Sequence, residues 1–135
     1  ALTSFHPRRI EIQLDELQVL QKLLMKFQIE DTTLVQEIKT KIIVSATFQI
    51  SNLNVRRKEK IELLRPIIEN KAFYDIFSGN RNQIIGSYKT LLRQRNIASF
   101  LRRLSIDLLT KKKFRTVIFI EKMKMNPILR KIAFK

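Results

Sequence analysis

The sequence predicts an all-α fold, a single bundle of five to seven amphipathic helices whose C-terminal third is basic. The composition supports this, because 44% of the 135 residues are apolar, with nine Phe but only two Gly and three Pro. Apolar residues also recur every three or four positions, which is the period of an α-helix. The length fits one domain, 1–135, divided into an irregular lead-in at 1–8, N-terminal helices at 9–79 and basic C-terminal helices at 80–135.

Two long helices are predicted first. One apolar stripe at helical spacing follows Arg9 and consists of Ile10, Leu14, Leu17, Leu20, Leu24 and Phe27. Thr33 and Gln36 have the spacing of a capping box, in which each side chain satisfies a free backbone donor, so a second helix is predicted to begin there. Its stripe is Val35, Ile38, Ile42, Ala46, Ile50 and Leu53. β-branched residues between 42 and 50 also suit a strand, but the period favours a helix, and the polar stretch 51–54 predicts its end.

Shorter helices are predicted in the middle of the chain. The segment from Arg56 to Glu69 has helical spacing, but Pro66 lacks a backbone donor and crowds the preceding turn. We therefore expect a break or kink near Arg65 that divides this segment into two short helices. Residues 71–77 predict one further helical turn that ends in a left-handed cap at Gly79.

The C-terminal part predicts a helical pair followed by a basic end. One stripe comprises Ile84, Ile85, Tyr88, Leu91 and Leu92, and a second comprises Ile97, Phe100, Leu101, Leu104 and Leu108. Asn96 is a suitable N-cap between them, so the two stripes predict an antiparallel helix pair. Asn126 followed by Pro127 predicts the start of a last helix at 127–134, since Pro is favoured at the first helical position.

Positive charge is concentrated at the C-terminal end. Residues 1–88 contain 13 basic and 10 acidic residues, so their net charge is +3. Residues 89–135 contain 14 basic residues and only two acids, Asp107 and Glu121, so their net charge is +12. Such asymmetry indicates an anionic partner, because the repulsion would otherwise reduce stability without benefit. Nucleic-acid phosphates and acidic lipid headgroups are the two candidates.

Catalytic and cofactor motifs are missing from the sequence. His6 is the only histidine and there is no cysteine, so we expect no metal site, and Ser or Thr nucleophiles have no suitable base. The two glycines, Gly79 and Gly86, form neither a Walker loop nor a dinucleotide fingerprint, so no nucleotide cofactor is expected. Adjacent acids such as Asp15 and Glu16 point in different directions on a helix. We therefore predict no catalytic residue, metal or cofactor within this chain.

Three interpretations of the basic region follow. It could be an ordinary solvated helix end, where cations also suit the helix dipole. It could bind an anionic lipid surface or a protein partner through residues interleaved with Phe and Ile: Lys111, Lys112, Lys113, Arg115, Lys122, Lys124, Arg130 and Lys131. It could instead bind nucleic-acid phosphates through Arg93, Arg95, Arg102 and Arg103, although no recognised reader motif accompanies them. A second copy of the chain also stays open as a partner.

Four stretches together resemble a known kind of helical extension. They are Ala1-Leu2-Thr3-Ser4, the helix from Leu14 to Phe27, the run Arg56-Arg57-Lys58-Glu59-Lys60, and Met125-Asn126-Pro127-Ile128-Leu129-Arg130-Lys131. In this order they resemble the C-terminal helical extension of bacterial family-two glycosyltransferases, which build capsule and cell-surface polysaccharides. The resemblance implies a non-catalytic domain that follows a sugar-nucleotide-dependent catalytic domain and mediates membrane-surface or protein association. It implies that the parent protein is a glycosyltransferase, whereas no catalytic residue of that family can be assigned within this chain.

Location is predicted from the same composition. The absence of cysteine favours a reducing compartment. The stretch from Ala1 to Arg9 lacks the order of a secretory signal, and no segment contains about 18 uncharged apolar residues. We therefore expect a cytoplasmic protein, with peripheral attachment to the inner face of the membrane if the lipid interpretation holds.

Overall fold

Helices make up most of residues 8–28, 32–79, 81–128 and 131, which are the residues that the computed structural model describes. Within these ranges there are seven α-helices of five or more residues, one four-residue helix, one 3-10 turn at Lys71–Phe73, and no strand. The helices are α1 Arg8–Lys26, α2 Thr32–Ser51, α3 Arg57–Glu69, α4 Tyr74–Ser78, α5 Arg81–Ile84, α6 Tyr88–Arg93, α7 Ile97–Thr110 and α8 Phe114–Met123. The predicted all-α bundle of five to seven helices is confirmed.

Helix α2 is the centre of the bundle. It contacts α1, α3, α7 and α8, and its side chains are therefore buried around much of its circumference. Ile43 and Ile50 are fully buried. Thr47 is buried as well, and its hydroxyl donates to the Ile43 carbonyl at 2.7 Å, so its polar group is satisfied inside the helix. The β-branched stretch thus forms a helix because several neighbouring helices cover it.

One hydrophobic cluster joins the N-terminal and C-terminal helices. Its buried members come from α2, α3, α4, α7 and α8, with one member from the 3-10 turn: Ile42, Ile43, Ala46, Ile50, Leu64, Ile67, Phe73, Ile76, Ile106, Leu109, Phe114, Val117 and Ile118. Helix α1 contributes less, since Ile10 and Leu14 only pack against the cluster and are partly exposed. The basic α8 is therefore attached to the core through its apolar face.

The predicted division of this segment into two short helices near Arg65 is wrong. Helix α3 continues through Pro66 to Glu69. Pro66 is exposed, so the Glu62 carbonyl that lacks its helical donor lies on the solvent side. Leu64 and Ile67 are fully or almost fully buried on the opposite side. Packing of these two side chains therefore holds the helix together despite the missing hydrogen bond.

The predicted capping box at the start of α2 is also wrong. The helix begins at Thr32, so Thr33 already lies inside it. The Gln36 side chain instead donates from Nε2 to Asp75 Oδ2 at 2.7 Å. This long-range hydrogen bond to α4 replaces the local one, because α4 lies beside the first turns of α2.

Both glycines differ from expectation. Gly79 ends α4 with a φ of 161°, which is extended rather than left-handed backbone. The stripe from Ile84 to Leu92 is divided, because Gly86 adopts a φ of 121° and Ser87 then caps α6 by accepting from the Thr90 amide. Two short helices therefore replace one amphipathic helix.

The predicted N-cap of α7 is confirmed. The Asn96 side chain accepts from the Ser99 amide at 3.2 Å. Helices α6 and α7 contact each other, and the rings of Tyr88 and Phe100 pack edge to face at 5.2 Å. Of the predicted last helix, 127, 128 and 131 are helical, and the rest of 127–134 lies outside the described residues. His6 lies outside them too.

A candidate anion-binding groove

Asp107, one of the two acids in the C-terminal third, is used inside the fold. Arg81 Nε lies 2.6 Å from Asp107 Oδ1, an ion pair without hydrogen-bond geometry. Arg103 Nε donates to Asp107 Oδ2 at 3.2 Å, and the Tyr88 hydroxyl donates to the same oxygen. Burial of the Tyr88 ring, followed by its hydrogen bond to Asp107, raises the pKa of Tyr88 to about 12. This network joins α5, α6 and α7.

Glu121, the other acid, is also used internally. Its side chain is 0% exposed. Ser105 Oγ donates to Glu121 Oε1 at 2.5 Å, and Lys124 Nζ donates to the same oxygen at 2.8 Å. The carboxylate therefore fixes α8 against α7 and neutralises Lys124.

The exposed charge of residues 89–128 is consequently all positive. Two of their cations, Arg103 and Lys124, are paired with the two internal acids. Eight more are exposed, and none of them forms an ion pair within the described part of the chain: Lys89, Arg93, Arg95, Lys111, Lys112, Lys113, Arg115 and Lys122. No described acid of the N-terminal half forms an ion pair with these eight cations.

Some of these cations border a groove between the start of α3 and α8. The groove has a volume of about 730 Å³. Its basic residues are Arg57, Lys60, Arg115 and Lys122, and its other lining residues are Val55, Ile118, Phe119, Met123, Met125 and Asn126. None of these lining residues, all from the described part of the chain, carries a carboxylate. We call it the basic groove.

Helix geometry places the two sides of the basic groove. On α8, Arg115 and Lys122 are seven residues apart with Phe119 between them, which is the spacing of a single helical face. On α3, Arg57 and Lys60 are three residues apart and share a face as well. The acids Glu59 and Glu62 point away from that face by roughly 130° or more, since each residue rotates the helix by about 100°. The walls of the groove therefore carry cations without the neighbouring carboxylates.

The side chain of Lys60 is held in one position within the basic groove. It is only 6% exposed, and its Nζ donates to the Ser51 carbonyl at the end of α2, with a distance of 2.8 Å. A cation there suits the negative end of the α2 dipole. Burial, and then the positive charges of Lys122 and Arg57, lower the pKa of Lys60 below its usual 10.5. Lys122 and Arg57 are thus close enough to Lys60 to repel its charge.

The predicted lipid-binding residues do not all lie on one surface. Arg115 and Lys122 lie in the basic groove, whereas Lys111, Lys112 and Lys113 are exposed at the turn between α7 and α8. Lys131 is exposed, Arg130 lies outside the described residues, and Lys124 is buried against Glu121. Sequence reasoning did not assign Arg57 or Lys60 to the site. Their signal was the basic run at 56–60, which is far from α8 in the sequence.

The predicted phosphate-binding arginines do not act as one group. Arg103 is 12% exposed, and besides Asp107 it binds the Gly86 carbonyl at 2.7 Å and stacks on Tyr88 at 4.8 Å. Arg102 is half-buried, while Arg93 and Arg95 are exposed. Only two of the four arginines therefore present a fully exposed side chain.

Comparisons with known proteins add no assignment. Searches of protein-family models, curated proteins and solved structures found no match to this chain. Among the described helices, none is long and apolar enough to cross a membrane.

Proposed function

We propose that this chain is a non-catalytic helical domain that attaches to the surface of an anionic membrane through the basic groove and the exposed side chains around it. The observation that carries this proposal is the mixture of residues along one face of α8. Arg115 and Lys122 alternate there with Phe119, which is 63% exposed, and with Met123. A headgroup layer offers anions to the cations and an apolar boundary to the rings and thioethers.

The magnitudes are sufficient for reversible attachment. Each basic residue near an anionic surface contributes about 1 kcal/mol, and four basic residues line the groove. Burial of an exposed Phe side chain adds up to about 1.5–3 kcal/mol. Together these terms, about 5.5–7 kcal/mol, correspond to a dissociation constant of roughly 10–100 μM at low salt, and the electrostatic part weakens as salt screens the charges.

The nucleic-acid alternative has less support. The phosphate backbone of a duplex offers charge but no apolar surface to Phe119 and Met123. Arg103, one of the four arginines that would serve it, is committed to Asp107 and Tyr88. Phosphate binding by Arg93 and Arg95 is therefore one possible outcome of the binding experiments described below.

The resemblance to glycosyltransferase extensions fits membrane attachment. We propose accordingly that the domain keeps a sugar-nucleotide-dependent catalytic domain at the membrane surface, where lipid-linked or surface acceptors are found. Reading the coding sequence immediately before Ala1 tests this part. A catalytic domain with an acidic metal-binding motif is expected there, and an unrelated upstream sequence would remove this part of the proposal.

Vesicle co-sedimentation tests the membrane proposal. The groove variant replaces three cations, Arg57→Gln, Arg115→Gln and Lys122→Gln. The matched control removes the same charge elsewhere: Lys89→Gln, Arg93→Gln and Arg95→Gln. We expect the chain to bind vesicles that contain phosphatidylglycerol but not neutral vesicles, and the groove variant to bind roughly 100-fold more weakly, as about 3 kcal/mol requires. Equal losses in both variants would contradict a role for the groove.

A parallel gel shift with generic DNA and RNA separates the alternative. A shift that the control variant abolishes, together with absent vesicle binding, would contradict the membrane proposal and favour the arginine site. Circular dichroism spectra of all variants should be unchanged, because all six replaced side chains are exposed.

A further inference from the structure

We propose that the basic groove is a specific site for a phosphate monoester, which it binds as the dianion between the first turn of α3 and Lys122 of α8. This inference rests on the proposed function and deepens it. Membrane attachment by charge alone needs no specific phosphate site, so the site is a further claim. The shared ligand chemistry is a terminal phosphate group, carried by a lipid headgroup or by a soluble phosphate ester.

The first observation is that one cation of the groove is fixed in place. Exposed lysines that attract a membrane diffusely are mobile and extend into solvent. Lys60 differs, because it is buried and anchored by its 2.8 Å hydrogen bond to the Ser51 carbonyl. A pre-positioned ammonium loses less conformational freedom on binding, which favours a defined ligand geometry.

The second observation is unused donor capacity around Lys60. An ammonium group has three N–H donors, and the described residues provide Lys60 with one acceptor, the Ser51 carbonyl. Arg57 lies at the start of α3, and no side chain caps the first turn of that helix. The Lys60 ammonium and the Arg57 guanidinium therefore border the same groove, at the uncapped start of α3, and phosphate oxygens accept hydrogen bonds from both kinds of donor.

The third observation explains why a monoester is preferred to a diester. Lys122 and Arg57 line the groove beside Lys60 and repel its charge, since after burial these two cations lower the pKa of Lys60. No carboxylate among the lining residues offsets this repulsion. A monoester supplies close to two negative charges and three terminal oxygens, whereas a diester supplies one charge and two such oxygens. The monoester consequently relieves more of the repulsion and contacts more donors.

The experiment compares vesicles that contain phosphatidic acid, a monoester, with vesicles that contain phosphatidylglycerol, a diester. At each pH, the amount of phosphatidylglycerol is chosen to give the same surface charge as the phosphatidic acid. At about pH 8 the monoester is a dianion, and at about pH 5 it is a monoanion, because its second pKa is near 6. We expect an approximately tenfold preference for phosphatidic acid at the higher pH, falling to about threefold or less at the lower pH.

Single variants locate the preference. Lys122→Gln should remove it while binding to phosphatidylglycerol persists, whereas Lys113→Gln, which removes the same charge outside the groove, should leave it unchanged. Soluble glycerol 3-phosphate separates the two sources of ligand. Competition by this ester at millimolar concentration would identify the phosphate group alone as sufficient, and preference without competition would identify the lipid as the ligand.

Three results would overturn the inference. Equal binding to both lipids at equal surface charge would mean that attraction is diffuse, and the proposed function would still hold. Binding to neither lipid would reject both proposals together. A preference that Lys113→Gln removes as strongly as Lys122→Gln would also contradict a site in the groove.

Discussion

At the scale of single residues, three described non-glycine residues that follow helices lie in the left-handed region: Gln28, Arg95 and Lys112. Lys112 follows α7 with a φ of 57°, and Arg95 follows α6 with a φ of 55°. At the C-terminal end of α7, the amide of Lys113 donates to the Leu108 carbonyl and the amide of Lys112 donates to the Leu109 carbonyl. These two hydrogen bonds form the Schellman pattern. Glycine is favoured at such positions because a Cβ atom is strained there.

We therefore expect Lys112→Gly to stabilise the fold. Release of the left-handed strain should raise the free energy of unfolding by about 1 kcal/mol. Lys112→Ala removes the same charge but keeps the Cβ atom, and it should give no such gain. Urea denaturation measures both variants, and equal stabilities for Gly and Ala would show that strain is not the cause.

Tyr88 makes stability depend on alkaline pH. Burial and the Asp107 hydrogen bond raise the pKa of its phenol from 10.0 to about 12 in the folded chain. The protonated phenol therefore contributes stability that is fully present below pH 10 and is lost as the pH rises through about 12. Tyr88→Phe should lower stability at neutral pH and remove this contribution to the pH dependence. The difference in absorbance titration between the original chain and Tyr88→Phe, together with melting curves across this pH window, checks both effects. A Tyr88 phenol that ionises at its ordinary pKa would contradict them.

The buried pair of Glu121 and Lys124 gives a third test. Lys124→Met leaves a fully buried carboxylate without its counter-charge and should cost about 3–5 kcal/mol. The double variant Glu121→Leu with Lys124→Met removes both charges and should be more stable than the single variant. Chemical denaturation compares them, and a single variant within about 1 kcal/mol of the original chain would show that the pair is not buried as described.

At the scale of helices, α3 allows a test of how packing overrides local preference. Pro66→Ala restores an N–H group that can donate to the Glu62 carbonyl, so we expect stabilisation of about 1–2 kcal/mol after the gain in unfolded-chain entropy is subtracted. Pro66→Gly supplies the same donor but should gain about 1 kcal/mol less. Thermal melting distinguishes the variants. Loss of stability in Pro66→Ala would imply that the helix is adapted to proline.

Periodic helices were predictable from sequence, and their local interruptions were less so. The spacing of Leu14 and Leu17, or of Ile42 and Ile50, carries the helical period over several turns, so α1 and α2 were found. The outcome at Pro66 depends on burial of side chains that lie beside it, which spacing does not reveal. The division at Gly86 depends on a positive φ that a neighbouring N-cap stabilises. The apolar spacing of the sequence is the same on both sides of Gly86, so it does not reveal this division.

At the scale of the whole molecule, the sum of charges was predictable but the site was not. Counting residues located the positive excess after position 88. It could not show that Asp107 and Glu121 both form ion pairs inside the fold. The exposed charged side chains of this region are therefore all cations. Counting also could not bring Arg57 and Lys60 beside Lys122, because that contact arises only when α8 packs on α2 and α3.

Membrane attachment through α8 predicts which surface enters the headgroup layer. The chain has no cysteine, so one introduced cysteine carries a single environment-sensitive fluorophore. Met123→Cys places the label beside the basic groove, and Leu92→Cys places it on α6 at a side chain that is 61% exposed.

The most direct test is the emission of these two labels when phosphatidylglycerol vesicles are added. We predict a blue shift and quenching by lipid-borne quenchers at position 123, with no change at position 92. An unchanged label at position 123 on a chain that sediments with the vesicles, or equal shifts at both positions, would contradict attachment through the basic groove.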